Sequence, residues 1–501
     1  MNKYDFLVIG SGPAGQRAAI QAAKVGKRVA IIERRDVVGG VSVHTGTIPS
    51  KTLREAALYL TGWSQRGLYG RDYRLQQSVT MDDLLNRLQI TLNHEIEVIR
   101  DQLSRNNVDI IQGSGSFIDA NTVQVETEHN EVLEYKADKI LIATGSRPVL
   151  PENIPFNGTT IIDSDALLQL KKTPRSMTIV GGGVIGVEYA SIFATMDIKV
   201  TLVDGRTNLL SFLDLELVDE LVHHMREHGI VLRLGENVDN VEEQSNGQIV
   251  TTLDSGKRIC SDVILFAAGR VGCTYALNLE AAGLENDERR LIKVNEYHQT
   301  AVPHIYAAGD VIGFPSLAST SMEQGRLAAC HAFKLGNTAP SHNFPFGIYA
   351  VPEISVVGMT EQQLTKNKVP YEVGIARLRE TARGQIMGVE TGILKILIAL
   401  DDERILGVHI IGEGATELIH IGQAVLILNG TLQYFLENAF NYPTLAEAYK
   451  IAALDAWNRI GALTQCCSID LCATSTEKKS SEKKSVDIKS KSKSSKMPKA
   501  S

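Results

Sequence analysis

Three features of the sequence predict an α/β fold followed by a tail. A strand, a glycine-rich turn, a helix and a second strand ending in an acidic residue occur near the start of the chain and again after Arg175. The chain has 501 residues, of which 44% are hydrophobic and 22% are charged, as in ordinary globular proteins. Its last residues are rich in lysine and serine. We therefore expect several packed α/β domains followed by a tail.

The first of the two units begins at the N-terminus. Residues 4–9 predict a buried strand, residues 16–25 an alanine-rich helix, and residues 27–33 a second strand that ends at Glu33. Glycine lets the turn tighten and lets the backbone approach a pyrophosphate at the helix N-terminus, and Glu33 can accept hydrogen bonds from a ribose. This order of elements predicts a dinucleotide site. The residues of the turn that we expect to bind the dinucleotide are Gly10, Gly12, Pro13, Ala14 and Gly15.

The second unit repeats this pattern. Residues 176–180 predict a strand, a helix is expected from Val187, and residues 199–204 predict a strand that ends at Asp204. Two complete units predict two bound dinucleotides. The glycines expected to bind the second one are Gly181, Gly183, Gly186 and, after a later apolar strand, Gly269.

Asp204 and Arg206 bear on which nucleotide the second unit binds. Asp204 suits the two ribose hydroxyls of NAD, and Arg206 can neutralise the 2'-phosphate of NADP. Together they predict a site that accepts both nucleotides. A simple surface ion pair explains the same two residues, and the sequence leaves this alternative open.

Two further segments resemble the flavin disulfide reductases, the family of lipoamide dehydrogenase and glutathione reductase. Residues 140–148 (ILIATGSRP) resemble the crossover motif of that family, and residues 305–310 (IYAAGD) resemble its second flavin motif. The resemblance covers about Tyr4 to Leu463 and implies bound FAD, with the ribityl chain held by the aspartate at Asp310. The cofactor-binding residues that these motifs imply are Thr144, Gly145, Gly309 and Asp310.

The resemblance also implies a domain organisation. A FAD-binding domain consists of residues 1–148 and 270–341, with an NAD(P)-binding domain inserted at residues 149–269. Residues 342–463 form an α+β dimerisation domain, which implies a homodimer. Residues 464–501 are expected to be a disordered Lys/Ser-rich tail.

The sulfur chemistry of the family is missing from this sequence. Ser42 and Thr47 stand where the disulfide reductases have two cysteines, and Tyr442 stands where they have a catalytic histidine. A hydroxyl cannot form a disulfide, whereas hydride transfer between nicotinamide and flavin needs no thiol. Residues 44–56 and 440–449 are similar to the soluble pyridine nucleotide transhydrogenases of the family.

This resemblance implies ping-pong hydride transfer between NADPH and NAD+ through FAD. Lys51 is expected to lie near flavin N5 and to pair with Glu188, and these two are the expected catalytic residues. Thr47 and Lys51 are also expected to contact the cofactor. Glu447 corresponds to the acid that orients the missing histidine, and a structural or dimer role is the alternative for it. An NAD(P)H diaphorase or oxidase, and a flavin-dependent sensor without catalysis, are the alternative functions.

Charge and composition limit the other partners. The net charge is −7, and from Glu477 onward nine lysines oppose three acids, so that removing this +6 leaves −13 for the rest of the chain. An acidic body does not favour nucleic acid as a ligand, although the tail can bind an anionic surface or partner weakly. No secretory signal or membrane span is evident, which predicts a cytoplasmic protein.

Cysteine and histidine spacing predicts no metal site. Six cysteines are scattered without zinc spacing, and we expect them to be reduced and structural. His224 and His228 have i, i+4 spacing on a helix predicted over residues 215–228, and we expect a solvent-facing pair. We expect His409 and His420 to lie in a core or interface.

Overall fold

The computed structural model describes residues 2–336 and 343–463. The predicted tail, with Cys466, Cys467 and Cys472, lies outside the described residues. No helix in the described part of the chain is long and apolar enough to cross a membrane.

The first part of the chain forms a seven-stranded sheet with helices around it. Parallel β1, β2, β3 and β6 form its centre, and β4 and β5 extend it as antiparallel strands. Its elements are β1 (Asn2–Ile9), α1 (Pro13–Ala23), β2 (Val29–Glu33), α2 (Gly40–His44), α3 (Thr47–Leu60), α4 (Arg66–Tyr69), α5 (Met81–Ser104), β3 (Asp109–Gln112), β4 (Ser114–Asp119), β5 (Thr122–Glu126), β6 (Val132–Ile142) and β7 (Ser146–Pro148).

The next part forms a five-stranded parallel sheet in the order β11-β10-β9-β15-β8, beside a three-stranded antiparallel sheet of β12, β13 and β14. Its elements are β8 (Ile161–Asp163), β9 (Ser176–Val180), α6 (Val184–Thr195), β10 (Lys199–Asp204), α7 (Leu215–Glu227), β11 (Val231–Leu234), β12 (Val238–Glu243), β13 (Ile249–Leu253), β14 (Arg258–Ser261) and β15 (Val263–Phe266).

The chain then returns to the first sheet. β16 (Arg270–Gly272) pairs antiparallel with β7, β17 (Ile305–Ala307) pairs parallel with β6, and α8 (Ala318–Ala332) packs against α1. The segment that forms the second parallel sheet is therefore inserted in sequence between two segments that form the first domain. The β7–β16 pair lies where the chain enters and leaves this insertion. The domain limits that we predict stay a prediction.

The last part is an antiparallel sheet of five strands in the order β18-β19-β22-β21-β20, covered by helices. Its elements are β18 (Phe346–Ile348), β19 (Ile354–Gly358), α9 (Glu361–Lys366), β20 (Tyr371–Arg377), α10 (Ala382–Met387), β21 (Ile393–Ala399), β22 (Ile405–Ile411), α11 (Ala415–Ile427), α12 (Gln433–Glu437) and α13 (447–463). Strands alternating with helices, followed by this α+β part, confirm the predicted fold class.

Both predicted helix starts were placed three residues too late. The first helix begins at Pro13 rather than Gln16, and the equivalent helix begins at Val184 rather than Val187. The last glycine of each turn already belongs to the helix, since it lies in the first helical turn. The N-terminal N–H groups of α1 and α6 therefore lie directly at the glycine-rich turns.

The prediction of a solvent-facing histidine pair holds for His228, which is exposed, but is wrong for His224. His224 is only 8% exposed, and its ring stacks on that of His228 with the centroids 4.1 Å apart. The ring centroid of Trp63 lies 4.7 Å from that of His228. Burial, together with the neighbouring His228 and His223, lowers the pKa of His224 to about 3. The pair closes a contact between α7 and the segment after α3, which i, i+4 spacing alone does not reveal.

The other two predicted histidines differ from each other. His409 is fully buried, and its Nε2 lies 2.9 Å from the backbone oxygen of Met359. His420 is exposed on α11 and lines a cleft described below. The core prediction therefore holds for His409 alone.

Candidate active site

The first glycine-rich turn leaves an open cradle at the start of α1. Gly10 has φ +106°, which favours glycine, and a Cβ on Gly15 would overlap the carbonyl oxygen of Gly10. A Cβ on Gly12, in contrast, would meet nothing within 4 Å. Gly12 caps α1 without a side-chain hydrogen bond. The free N–H groups and the open space fit an anionic pyrophosphate.

Glu33 lies buried at the end of β2, beside this cradle. Its Oε2 accepts the N–H of Ser11 at 3.0 Å and the Ser11 hydroxyl, and its Oε1 accepts the N–H of Arg35 at 2.9 Å. A carboxylate has about four acceptor positions, so these bonds leave capacity for a ribose hydroxyl. Glu33 is 6% exposed and lines the same cleft as Gly12.

The other end of this first cleft is formed by the two motifs that implied a flavin. Thr144, Gly145, Gly309 and Asp310 all line it. The Ser146 hydroxyl donates to Asp310 Oδ2 at 2.7 Å, and Thr144 Oγ1 is buried with no hydrogen-bond partner among the described residues. The cradle and the unpartnered hydroxyl fit FAD, the cofactor that the two motifs imply.

The second glycine-rich turn repeats this geometry in the inserted sheet. A Cβ on Gly186 would overlap the carbonyl oxygen of Gly181, whereas a Cβ on Gly183 would meet nothing within 4 Å. Gly183 caps α6 without a side-chain hydrogen bond. Gly181, Gly183 and Gly269 line a second cleft of about 950 Å³. This cleft offers a second pyrophosphate position.

Asp204 and Arg206 form an ion pair at one end of the second cleft. Arg206 donates from its backbone N–H and Nε to Asp204 Oδ1, at 2.7 and 2.9 Å, and from Nη2 to Oδ2 at 2.8 Å. Burial raises the pKa of Asp204, but hydrogen bonds from Arg206 and Gly182 outweigh it and hold this pKa below its ordinary value. Asp204 is 7% exposed and the Arg206 side chain 51%. The aspartate is thus fixed, and the half-exposed arginine lines the cleft.

Lys51 and Glu188 lie where the two clefts meet. Lys51 Nζ donates to both carboxylate oxygens of Glu188, at 2.9 and 2.8 Å. The Glu188 side chain is 3% exposed and that of Lys51 is 24% exposed. Both residues line the second cleft, and Thr47, one turn before Lys51, lines both clefts. The structure therefore brings together the predicted catalytic pair, and it places a cation at the junction.

Tyr349 belongs to this junction and was missed by sequence reasoning. Its backbone N–H donates to Glu188 Oε1 at 2.8 Å, and its ring centroid lies 4.8 Å from Lys51 Nζ. It follows β18, so the C-terminal sheet contributes to the site. Ser50 Oγ lies 3.2 Å from Lys51 Nζ and also contacts Glu188. No motif signals Tyr349, because its contacts join segments about 160 to 300 residues apart in the chain.

The two residues that stand where the disulfide reductases have cysteines both lie in the first cleft. Ser42 and Thr47 both line the first cleft, and the Ser42 hydroxyl donates to the Gly39 oxygen at 3.2 Å. A cysteine distant in sequence, Cys273, also lines this cleft, which sequence reasoning did not reveal. Burial raises the pKa of the Cys273 thiol, so it is a thiol rather than a thiolate at neutral pH.

The position that the family gives to a histidine is also defined. Tyr442 is 73% exposed in the single chain. Glu447 begins α13, and its Oε2 is buried with no hydrogen-bond partner among the described residues. A structural or dimer role for Glu447 stays a prediction, as does its correspondence to the acid that orients the missing histidine.

One acidic cluster lies outside the two clefts. Lys395 Nζ donates to Asp214 and Glu216, each at 2.8 Å, and to Glu361. The lysine is fully buried, and hydrogen bonds from these carboxylates raise its pKa although burial opposes them. The ammonium occupies the position that a cation would take among the three acids. The cluster joins the inserted part of the chain to the C-terminal sheet.

Comparison with known protein families shows to which family the chain belongs. Residues 4–325 match the pyridine nucleotide-disulphide oxidoreductases, and residues 344–453 match the dimerisation domain of the same family. The chain belongs to the pyridine nucleotide-disulphide oxidoreductase family. The resemblance read from the sequence is therefore confirmed, and family membership implies bound FAD and pyridine nucleotide substrates.

Curated relatives within the family are similar over nearly the whole chain. A soluble pyridine nucleotide transhydrogenase from Mycobacterium bovis is 53% identical over 466 residues, which are 93% of this chain and 99% of that protein. A protein of the same name from Yersinia pestis is 48% identical over 461 residues, which are 91% of this chain and 98% of that protein.

Two solved structures have the same fold. The HOCl-induced flavoprotein disulfide reductase RclA from Escherichia coli, in its Cu(II) complex, has a TM-score of 0.81 at 29% identity and matches 90% of this chain and 99% of that chain. LpdA from Mycobacterium tuberculosis has a TM-score of 0.84 at 24% identity, with the same coverage, and shows the fold alone.

Proposed function

We propose that this chain is a FAD-dependent enzyme that transfers hydride between NADPH and NAD+, in either direction. The observation that carries the proposal is the junction of the two clefts, where the Lys51–Glu188 pair is present and hydroxyls replace both cysteines of the disulfide reductases. Electrons that one nicotinamide delivers to the flavin cannot pass to a redox disulfide, so they pass to a second nicotinamide. The names of the relatives support the same activity.

FAD supplies the hydride chemistry when bound in the first cleft. Residues of this chain bind FAD and orient it. The N-terminus of α1 and the open face of Gly12 hold the pyrophosphate, Glu33 a ribose, and Asp310 the ribityl chain. The remaining residues proposed for FAD binding are Gly10, Pro13, Ala14, Gly15, Thr47, Lys51, Thr144, Gly145 and Gly309.

Lys51 is the proposed source of electrostatic catalysis. A fixed ammonium at the junction stabilises negative charge that develops there more than it stabilises the neutral ground state, so the interaction is differential. Glu188 fixes the ammonium by two hydrogen bonds, and the Tyr349 ring covers it. The orientation of Lys51 is therefore established before any substrate binds.

Asp204 and Arg206 are the proposed reason why the second cleft accepts both nucleotides. The Arg206 side chain is half-exposed and can turn away from Asp204, which frees the carboxylate to accept from the ribose hydroxyls of NAD and lets the guanidinium reach a 2'-phosphate. Gly181, Gly183, Gly186 and Gly269 are the proposed backbone contacts of the nucleotide pyrophosphate. The match to a dimerisation domain supports a homodimer, which we also propose. A cytoplasmic location stays a prediction from the sequence.

The test is transfer from NADPH to a thionicotinamide analogue of NAD+ by the purified protein without oxygen. We expect the reduced analogue to form in proportion to the NADPH consumed. Oxidation of NADPH only with a quinone or oxygen would select a diaphorase or oxidase. Tight nucleotide binding without turnover would select a sensor.

A further inference from the structure

Arg270 and Asp310 lie on the boundary between the two clefts. Arg270 lines the second cleft, Asp310 lines both, and Ser146 lines the first. Arg270 and Ser146 belong to β16 and β7, the antiparallel pair where the inserted part of the chain begins and ends. A side-chain connection through this pair therefore runs from the nucleotide side to the flavin side.

The hydrogen bonds along this connection have a defined direction. Arg270 Nε donates to Ser146 Oγ at 2.8 Å, and Nη2 donates to the Ser146 backbone oxygen at 2.8 Å. A guanidinium has donors only, so the Ser146 hydroxyl must accept from it. The hydroxyl proton is then directed to Asp310 Oδ2, 2.7 Å away. Arg270 thus makes Ser146 a donor and orients the carboxylate of Asp310.

The connection is buried on the flavin side, at Ser146, and partly exposed on the nucleotide side, at Arg270. Ser146 is 5% exposed, so its side chain has little contact with solvent. The Arg270 side chain is 22% exposed, and its Nη1 lies 3.7 Å from Asp165 Oδ1. A nucleotide in the second cleft meets the guanidinium at its exposed part, and Asp165 limits how far it can move.

We infer that Arg270 is a positioning residue that couples the two clefts, so that a nucleotide bound in the second cleft tightens the binding of FAD in the first through Ser146 and Asp310. The inference rests on the proposed function, which assigns FAD and the nucleotides to these clefts. Coupling between two binding sites is reciprocal, so FAD must tighten nucleotide binding by the same factor.

The dissociation constant of FAD, with and without saturating NAD+, tests this coupling. The holoenzyme is diluted into graded FAD concentrations, and bound FAD is followed by its fluorescence. Both cofactors are oxidised, so no hydride transfer disturbs the equilibrium. We expect NAD+ to lower the dissociation constant at least about fivefold, the lower end of the usual range for coupled sites. An unchanged constant in the parent protein contradicts the inference.

Two variants locate the coupling. Arg270→Met removes the guanidinium, and Ser146→Ala removes the hydroxyl while leaving the guanidinium in place. In each variant we expect weaker FAD binding and a ratio of the two constants close to one. A parental ratio in both variants overturns the role of the connection, even if both bind FAD more weakly.

Arg74 offers a matched control. Its side chain is also 22% exposed, and its Nη2 contacts both oxygens of Asp197, at 3.1 and 3.0 Å, again between the first part of the chain and the inserted part. It lines neither cleft. We expect Arg74→Met to keep the parental ratio, and loss of the ratio in this variant would overturn a specific role for Arg270.

Failure of the inference is distinguishable from failure of the proposed function. The ratio comes from binding alone, whereas the function is tested by hydride transfer to the thionicotinamide analogue. Transfer with a ratio of one would overturn only the coupling. A ratio above five without transfer would support the coupling and contradict the activity.

Discussion

Lys51 and Glu188, which are 137 positions apart in the sequence, form an ion pair with two hydrogen bonds between two helices. Lys51 lies on α3 and Glu188 on α6, and the ammonium contacts both carboxylate oxygens at 2.9 and 2.8 Å. The backbone N–H of Tyr349, in the C-terminal part of the chain, donates a further hydrogen bond to the carboxylate of Glu188. All three parts of the chain therefore meet at one charge pair, and the orientation of the lysine depends on their packing together.

Replacing Lys51 with methionine tests the electrostatic role. Methionine has a similar length and no charge, so we expect FAD to stay bound while flavin reduction by NADPH slows by about 10²- to 10³-fold, as for other preorganised donors. Stopped-flow reduction at saturating NADPH measures this rate. Lys3→Met is the control, because Lys3 pairs with Asp138 on the surface. A rate within about threefold of the parent would leave Lys51 with a structural role only.

Arg206→Ala tests nucleotide selection in the second cleft. If Arg206 contacts the 2'-phosphate, the Michaelis constant for NADPH should rise, at a cost of about 1.5–3 kcal/mol, while that for NADH stays nearly unchanged. Steady-state kinetics with both donors measure the difference. Arg206→Lys keeps the charge and should recover part of the loss. Equal losses for NADPH and NADH would show that the arginine only holds Asp204.

His224 predicts a pH dependence of stability. Burial lowers its pKa in the folded protein to about 3, below the ordinary value of 6.5, so the unfolded chain binds more protons between these limits. Stability is therefore present above pH 6.5 and is lost as the pH falls toward 3, by up to about 1.4 kcal/mol per pH unit. Urea unfolding of the parent and of His224→Phe at several pH values measures this slope. The variant should have the shallower slope, and equal slopes would refute the assignment.

Thiol chemistry is expected to be dispensable. Cys273 lines the first cleft as a protonated thiol, and Ser42 and Thr47 carry no sulfur. Cys273→Ser should retain the transfer rate of the parent, and thiol-blocking reagents should leave activity nearly intact. Transfer assays before and after treatment measure both effects. Loss of transfer in Cys273→Ser, with FAD still bound, would show that sulfur takes part.

The sequence predicts those parts of the site that depend on neighbouring residues. The strands at residues 176–180 and 199–204 were predicted with the bounds that the structure has, because apolar runs and glycine turns are local signals. The Lys51–Glu188 pair was implied by the family motifs. Tyr349 and Arg270 were missed, because their roles depend on contacts between distant segments. The burial of His224 was missed because helical spacing identifies a face but not the element that covers it.

Anaerobic titration of the bound flavin with NADPH, followed by NAD+, tests the central claim most directly. Without a redox disulfide, we expect one two-electron equivalent of NADPH to remove the visible absorption of oxidised FAD completely, with no long-wavelength band from a thiolate. Added NAD+ should then restore the absorption and form an equal amount of NADH. Uptake of two equivalents before the absorption disappears, or no recovery with NAD+, would contradict the account.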